Sequence, residues 1–218
     1  MLAASALSGL SALATHIAFS ADSSISRGSN IPEPSPDFSI RIAPVKFELS
    51  PSHTITTVGY NGTVPGPLLR VKESQHVTID VRNDSDVPEL VHWHGLMVPS
   101  NVDGAMEEGP PMVPAGGSAR YSFVARPSGT RWYHTHAIAG KDLRHSLYSG
   151  QYGFFYIEPE RNPGRYDQEI FIAMHHWEPY FVSMQDIRKG PPPNNGLEVM
   201  YQSASFNDKA LGHGEPSE

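Results

Sequence analysis

Short runs in which hydrophobic and polar residues alternate recur along much of the chain. The segments "HVTIDVRN" (76–83) and "SARYSFVA" (118–125) both place an apolar residue at every second position. Alternation with a period of two residues is typical of half-buried β-strands. Glycine and proline separate these runs, and Asn61-Gly62 is a common hairpin turn. The pattern therefore predicts an all-β fold, an antiparallel sandwich or barrel.

Other segments depart from simple alternation. In "SIRIAPVKFEL" (39–49) the apolar phase changes at the proline, which predicts a bulge on an edge strand. The segments 151–159 and 168–177 are almost continuously apolar, and we interpret them as fully buried strands. Residues 179–189 have a brief helical pattern, and a last strand is expected at 197–206.

Composition limits the possible functions. The 218 residues allow one or at most two domains, and the 39% hydrophobic content is enough for a core. A net charge of -7 argues against binding to nucleic acids or to anionic membranes. The chain contains no cysteine, which excludes disulfides, thiolate metal sites and the thiolate of a blue-copper centre within it. Any metal here must bind to histidine, carboxylate or thioether groups.

The N-terminal segment has the composition of an export signal. Residues 2–15 are small and apolar, and Ala18-Phe19-Ser20 is a plausible cleavage site, but no Lys or Arg precedes Arg27. We interpret residues 1–21 as a truncated secretory signal and 22–38 as a flexible linker; the alternative for 1–21 is a buried helix. The run is too short for a stable membrane span. These features predict an exported protein, periplasmic or extracellular.

Two histidine pairs share the same spacing. His92 and His94 lie in "VHWHGLM", and His134 and His136 lie in "TRWYHTHA". In a strand, residues i and i+2 point to the same face about 7 Å apart, so each pair can bind a metal. A single pair of this kind is more often an ordinary surface feature, whereas two pairs indicate a metal site. Imidazole ligands alone leave copper, zinc, nickel and iron open.

By contrast, His175-His176 are consecutive, so they face opposite ways and are expected to pack rather than chelate.

The surrounding motifs resemble a known family. The segments "YNGTVPGPLLRVKESQHVTIDVRN", "HWHGL", "YSFVARPSGTRWYHTH" and "LYSGQYGFFYIEP" are similar to the N-terminal plastocyanin-like domain of multicopper oxidases, the laccase-like family. The resemblance implies a Greek-key cupredoxin β-sandwich or barrel with short helical insertions over residues 39–160. Residues 161–218 resemble a linker and the start of an incomplete second cupredoxin domain.

The resemblance also implies copper as the cofactor and a role for each ligand. His92 corresponds to a ligand of the type 2 copper, and His94, His134 and His136 correspond to ligands of the type 3 coppers. Asp103 resembles an acidic residue that delivers protons to oxygen. Three aromatic residues are expected to pack behind the ligands: Trp93, Trp132 and Tyr133.

In the family these copper ions reduce dioxygen to water while phenols, amines or metal ions are oxidised. The family completes the cluster with H-x-x-H-x-H and H-C-H motifs, which this sequence lacks. We therefore expect the chain to be inactive alone and to need further cupredoxin domains or a neighbouring subunit. The alternatives are a non-catalytic cupredoxin scaffold and a stand-alone copper-holding domain.

Overall fold

A computed structural model describes residues 34–105, 109, 111–161, 164–183 and 197–211. The expected signal (1–21) lies outside the described residues, as does the expected linker up to residue 33. The described residues from Ser35 onward belong to one compact unit. None of the helices in the part of the chain that the structure describes has the length and apolarity of a bilayer span.

Two four-stranded sheets form the body of this unit. The first has the order β2-β1-β4-β6, with strands His53–Tyr60, Phe38–Ser50, His76–Asn83 and Ser118–Val124. The second has the order β3-β8-β7-β5, with strands Gly66–Lys72, Tyr152–Glu158, Gly129–Thr135 and Val91–His94. Each sheet contains one parallel pair, β1 with β4 and β3 with β8, so the sheets are mixed rather than purely antiparallel.

A buried core joins the inner faces of the two sheets. Trp93 of β5 contacts Tyr121 and Phe123 of β6 at ring-centroid distances of 5.3 Å, and Phe123 in turn contacts Phe155 of β8. The alternating apolar residues of β4 are fully buried in this core. The all-β sandwich expected from the sequence is confirmed. The helical segments described are short: α1 (Ser100–Asp103) and a 3₁₀ turn (Ser146–Tyr148).

The first strand differs in detail from its sequence pattern. Its apolar phase does change, because Ile42 and Ala43 are both buried. The pairing with β2 nevertheless runs in register through Pro44, and the irregularity lies between Glu48 and Ser50. The expected bulge at Pro44 is therefore wrong. Pro44 lies beyond the residues that pair with β4, so its missing N–H costs no ladder bond on that side.

The described residues after 164 contain five further short strands. These strands are β9 (Met174–Trp177), β10 (Tyr180–Ser183), β11 (Leu197–Met200), β12 (Ser203–Phe206) and β13 (Lys209–Ala210). One small sheet has the order β13-β12-β9, and a second consists of β10 and β11. The strand expected at 197–206 is thus two strands.

Two expectations for this segment are wrong. Residues 180–183 form a strand rather than a helix, and residues 184–189 lie outside the described part. The stretch 168–177 is not fully buried, because Ile170, Ile172 and Met174 are 62–64% exposed. Continuous hydrophobicity does not by itself distinguish a buried strand from an exposed apolar segment.

Candidate metal centre

The two histidine pairs meet because β5 and β7 are neighbours in register. His92 lies directly opposite His134, and Val91 lies opposite Thr135. Side chains alternate between the two faces of a sheet, so His92, His94 and His134 project from the same face. His136 directly follows β7, and its backbone N–H donates to Leu90 O at 2.8 Å. The strands thus bring all four predicted ligands together; we call this surface the histidine face.

The four rings form one cluster. The ring centroids of His92 lie 5.4, 5.3 and 5.2 Å from those of His94, His134 and His136. The candidate ligand atoms of His92, His94 and His134 all lie within 4.8 Å of one another. These separations are short enough for the imidazoles to share one ion or two neighbouring ions.

Backbone carbonyls fix which nitrogen carries the proton on two of the rings. The His92 Nδ1–H donates to Asp103 O at 2.9 Å, and the His134 Nδ1–H donates to Thr135 O at 2.7 Å. Because a carbonyl can only accept, the ring proton stays on Nδ1 and the Nε2 lone pair remains available for a metal. Both rings are therefore prepared as Nε2 ligands.

The distance between His94 and His134 fits a shared ion. His94 Nδ1 lies 3.3 Å from His134 Nε2. Two nitrogens bound to one ion through bonds of about 2.0 Å at a near-tetrahedral angle stand about 3.3 Å apart. Burial lowers the pKa of His134 to about 4, and burial together with the neighbouring His92 and His136 also lowers the pKa of His94. Neutral rings of this kind can bind a metal at neutral pH.

Asp103 lies beside His92 because of the glycine that follows it. Gly104 has φ of +76°, and a Cβ built there would lie 1.8 Å from Val91 O, so the close approach of α1 to β5 requires glycine. This approach places Asp103 Oδ2 3.3 Å from His92 Nδ1, with the carboxyl side chain mostly buried. The predicted acidic residue therefore adjoins a predicted ligand.

The aromatic residues divide between the two faces. Trp93 and Tyr133 are fully buried behind the histidines, as expected. Trp132 is not behind them, and that expectation is wrong. Its indole stacks on the His134 ring at 4.1 Å and tilts against His94 at 4.8 Å. Residue 132 has the same parity as 134, so the strand period itself places it on the histidine face.

Sequence reasoning missed one acidic residue. Glu89 is fully buried on the core side, and its Oε2 accepts a hydrogen bond from Thr135 Oγ1 at 2.8 Å. Burial raises the pKa of this carboxyl. Strand alternation does not predict this burial, because Glu89 precedes β5 and forms an isolated bridge with Val113, and its neighbours Leu90 and Val91 are both fully buried.

The rings of His175 and His176 lie in different surroundings. The His175 ring stacks on Tyr152 at 4.8 Å and meets Trp177 edge-on at 4.2 Å, whereas the His176 ring contacts Tyr201. The two rings thus pack against different aromatic residues, which confirms the sequence interpretation.

The fold and the histidine face together define a β-sandwich domain with clustered imidazoles that could hold a metal ion. The sequence profile described as "Multicopper oxidase" matches residues 42–162, more than half of the chain, and the chain belongs to that family.

Individual relatives agree with this assignment. Copper resistance protein A of Pseudomonas syringae pv. tomato is 37% identical over 56% of this chain, and multicopper oxidase MmcO of Mycobacterium tuberculosis is 32% identical over 56%. This chain covers only 19% and 23% of their lengths. The solved multicopper oxidase mgLAC superposes with a TM-score of 0.67 and 26% identity, covering 82% of this chain and 55% of that one.

Proposed function

We propose that this chain provides the N-terminal copper-binding domain of a laccase-like multicopper oxidase. In this proposal residues 39–160 form that domain and 161–218 begin a second cupredoxin domain. His92 binds a type 2 copper, and His94, His134 and His136 bind the type 3 coppers. The main support is the 3.3 Å separation of His94 Nδ1 and His134 Nε2 within a cluster of four imidazoles.

The proposed chemistry is the four-electron reduction of dioxygen. When bound, copper would relay four electrons from the reducing substrate to one dioxygen, which with four protons gives two waters. The electrons come from a small reducing substrate, a phenol, an amine or a metal ion. Because the 218 residues contain no cysteine, we assign electron entry and the remaining histidines to other cupredoxin domains, in the same polypeptide or in a neighbouring subunit.

The chain's own residues have three tasks in this proposal. The carbonyls of Asp103 and Thr135 orient His92 and His134. The Asp103 carboxylate passes protons toward the oxygen-binding region, since its Oδ2 adjoins His92 Nδ1. The signal-like residues 1–21 direct the protein out of the cytoplasm, to the periplasm or beyond, where it meets copper and its substrates.

The test is copper loading of the full chain. Purified protein is incubated with Cu(II), dialysed, and examined by metal analysis and electron paramagnetic resonance. We expect retained copper with nitrogen superhyperfine splitting and no intense blue thiolate band, because all ligands are imidazoles. A variant with His92, His94, His134 and His136 replaced by alanine should retain no copper. The matched control replaces the exposed His53 and His76 by alanine and should bind as the unsubstituted chain does.

The same experiment separates the alternatives. A folded chain that retains no copper after loading contradicts the proposal and favours the non-catalytic scaffold. A chain that binds copper tightly and passes it to an acceptor, without completing an oxidase when combined with its missing domains, favours the copper-holding alternative.

A further inference from the structure

Glu89 is a buried acid in the apolar wall behind the histidine face. Its backbone is fixed by two hydrogen bonds with Val113, one in each direction, at 2.9 and 2.8 Å. Its side chain is 0% exposed. A carboxyl in such a place loses its hydration, and this loss destabilises the fold unless hydrogen bonds compensate. An aliphatic residue would avoid that cost, so the acid requires an explanation in terms of what it binds.

Glu89 interacts with the side chains of Gln151 and Thr135, and Thr135 lies between two predicted copper ligands. Thr135 Oγ1–H donates to Glu89 Oε2 at 2.8 Å, and the same Oγ1 accepts from Ala137 N–H at 3.2 Å. Thr135 is 1% exposed, so water does not compete for this hydroxyl. The carboxyl therefore fixes both the end of β7 and the turn that follows it.

The position of Thr135 determines the geometry of its neighbours. Its carbonyl accepts the Nδ1–H of His134 at 2.7 Å and so sets which nitrogen of that ring can bind a metal. Its own N–H donates to Gln151 O at 3.1 Å, and the next N–H, that of His136, donates to Leu90 O. A shift of Thr135 toward or away from the core would thus displace the carbonyl partner of His134 and the backbone of His136.

We propose that Glu89 is a positioning residue for the histidine face: through the hydroxyl of Thr135 it sets the tautomer of His134 and the directions of His134 and His136. This inference rests on the proposed copper function for its purpose, although its geometric part is independent of it. Buried polar groups that violate the apolar pattern of a strand are expected at functional sites. Groups that orient ligands from behind affect metal affinity about 10–100-fold.

The test uses two pairs of variants that differ in one feature each. Glu89→Gln keeps an acceptor for Thr135 but cannot ionise, whereas Glu89→Leu removes the acceptor at similar volume. Thr135→Ser keeps the hydroxyl, whereas Thr135→Val removes it. Val77→Ala, a core substitution in β4 of the other sheet, serves as a control for destabilisation alone, since Val77 is also 0% exposed.

The first measurement needs no copper. Nitrogen-15 spectra of the imidazoles in the full chain report the tautomer of each ring. We expect the unsubstituted chain, Glu89→Gln and Thr135→Ser to give the Nδ1–H signature for His134. Glu89→Leu and Thr135→Val should lose it or average it. The same signature in Glu89→Leu as in the unsubstituted chain would overturn the inference.

The second measurement is Cu(II) affinity by competition with a chelator. Affinity should fall about 10–100-fold in Glu89→Leu and in Thr135→Val, and the double variant should be no weaker than either. Glu89→Gln, Thr135→Ser and Val77→Ala should stay within about threefold of the unsubstituted chain. An equal loss of Cu(II) affinity in Val77→Ala and Glu89→Leu would mean that the loss comes from lower stability of the fold, which would contradict the inference. If the unsubstituted chain binds no copper, the proposed function fails, and the nitrogen spectra still decide the role of Glu89.

Discussion

The histidines of β5 and β7 and those of β9 lie in strands of similar composition, but their rings have different neighbours. On the histidine face each ring has other imidazoles within 6 Å, and backbone carbonyls fix two of the ring protons. In β9 the ring of His175 lies between Tyr152 and Trp177, and the ring of His176 lies against Tyr201. Neighbouring imidazoles create a ligand cluster, whereas neighbouring aromatic residues create only packing.

Neither location nor burial explains this difference. His134 and His175 line the same cavity of about 370 Å³. Burial lowers the pKa of each to about 4. What differs is spacing, because residues i and i+2 share a face of a strand and residues i and i+1 do not. A depressed histidine pKa thus identifies burial, and the arrangement of neighbouring rings identifies a metal site.

The largest expected effect comes from removing one ligand of the histidine face. Structural zinc sites with four protein ligands bind the metal with about 10–16 kcal/mol, which corresponds to about 2.5–4 kcal/mol for each ligand. We therefore expect His94→Ala or His134→Ala to weaken Cu(II) binding by about 10²–10³-fold. His175→Ala and His176→Ala should leave the affinity unchanged. Chelator competition followed by electron paramagnetic resonance measures all four.

The comparison would fail if the β9 variants lost copper as strongly as the β5 and β7 variants. That result would mean that His175, across the shared cavity, takes part in binding. A partial loss in His175→Ala with retained nitrogen splitting would instead indicate that β9 supports the wall of the cavity.

A smaller effect is expected for the pH dependence of stability. The pKa of His175 is about 4 in the folded chain, below its value of 6.5 in the unfolded chain, because burial disfavours the charged ring. As pH falls from 6.5 toward 4, the unfolded state takes up a proton that the folded state does not, so stability decreases. The loss from this group is up to about 3 kcal/mol and is complete near pH 4.

His175→Phe tests this origin. The phenyl ring can keep the contacts with Tyr152 and Trp177, although it gives up the hydrogen bond between the His175 ring and the backbone of Tyr148. The ring donates this bond in both protonation states, so its loss lowers stability at every pH, and the slope still reports the titration. Urea unfolding of the copper-free chain at several pH values should show a flatter decline between pH 6.5 and 4 for this variant. His134 and His94, whose pKa values burial also lowers, contribute to the remaining decline. An unchanged slope would show that His175 does not titrate as its burial implies.

Much of the fold followed from the period of two residues. Alternation in β4 and β6 gave the buried face of each strand, and the same rule placed His92 with His94 and His134 with His136. Alternation does not specify which strand is the neighbour. The register that sets His92 opposite His134 comes from packing between segments about 40 residues apart. The 3.3 Å separation of His94 Nδ1 and His134 Nε2 therefore could not be predicted from the sequence.

Other features were missed for different physical reasons. The exposure of Ile170 and Ile172 was not predicted, because an apolar sequence does not reveal whether another segment packs over it. The role of Glu89 depends on a contact with Thr135, 46 residues away. Strand alternation alone places Trp132 on the same face as His134, two residues further on. The wrong expectation came from grouping Trp132 with its aromatic neighbours Trp93 and Tyr133.

The smallest expected effect concerns this Trp132. Its indole, 37% exposed, stacks on His134 and leans on His94. Aromatic pairs of this kind contribute about 0.5–1.5 kcal/mol, so Trp132→Leu should weaken Cu(II) binding by no more than about tenfold. Trp132→Phe keeps a stacked ring and should bind as the unsubstituted chain does. Both variants should lose the part of the copper-dependent quenching of tryptophan fluorescence that comes from Trp132, while Trp93, which lies between His92 and His94 in β5, keeps its own part.

Trp177→Phe supplies the counterpart in β9, where Trp177 stacks on Phe47 in the core and is 1% exposed. Its removal should leave the copper-dependent quenching largely intact. Equal loss of quenching in both tryptophan variants would mean that copper binds between the two regions rather than on the histidine face. A loss of quenching in the Trp132 variants alone would place copper beside Trp132 on the histidine face. Trp177, the aromatic neighbour of His175 in β9, would then serve only in packing.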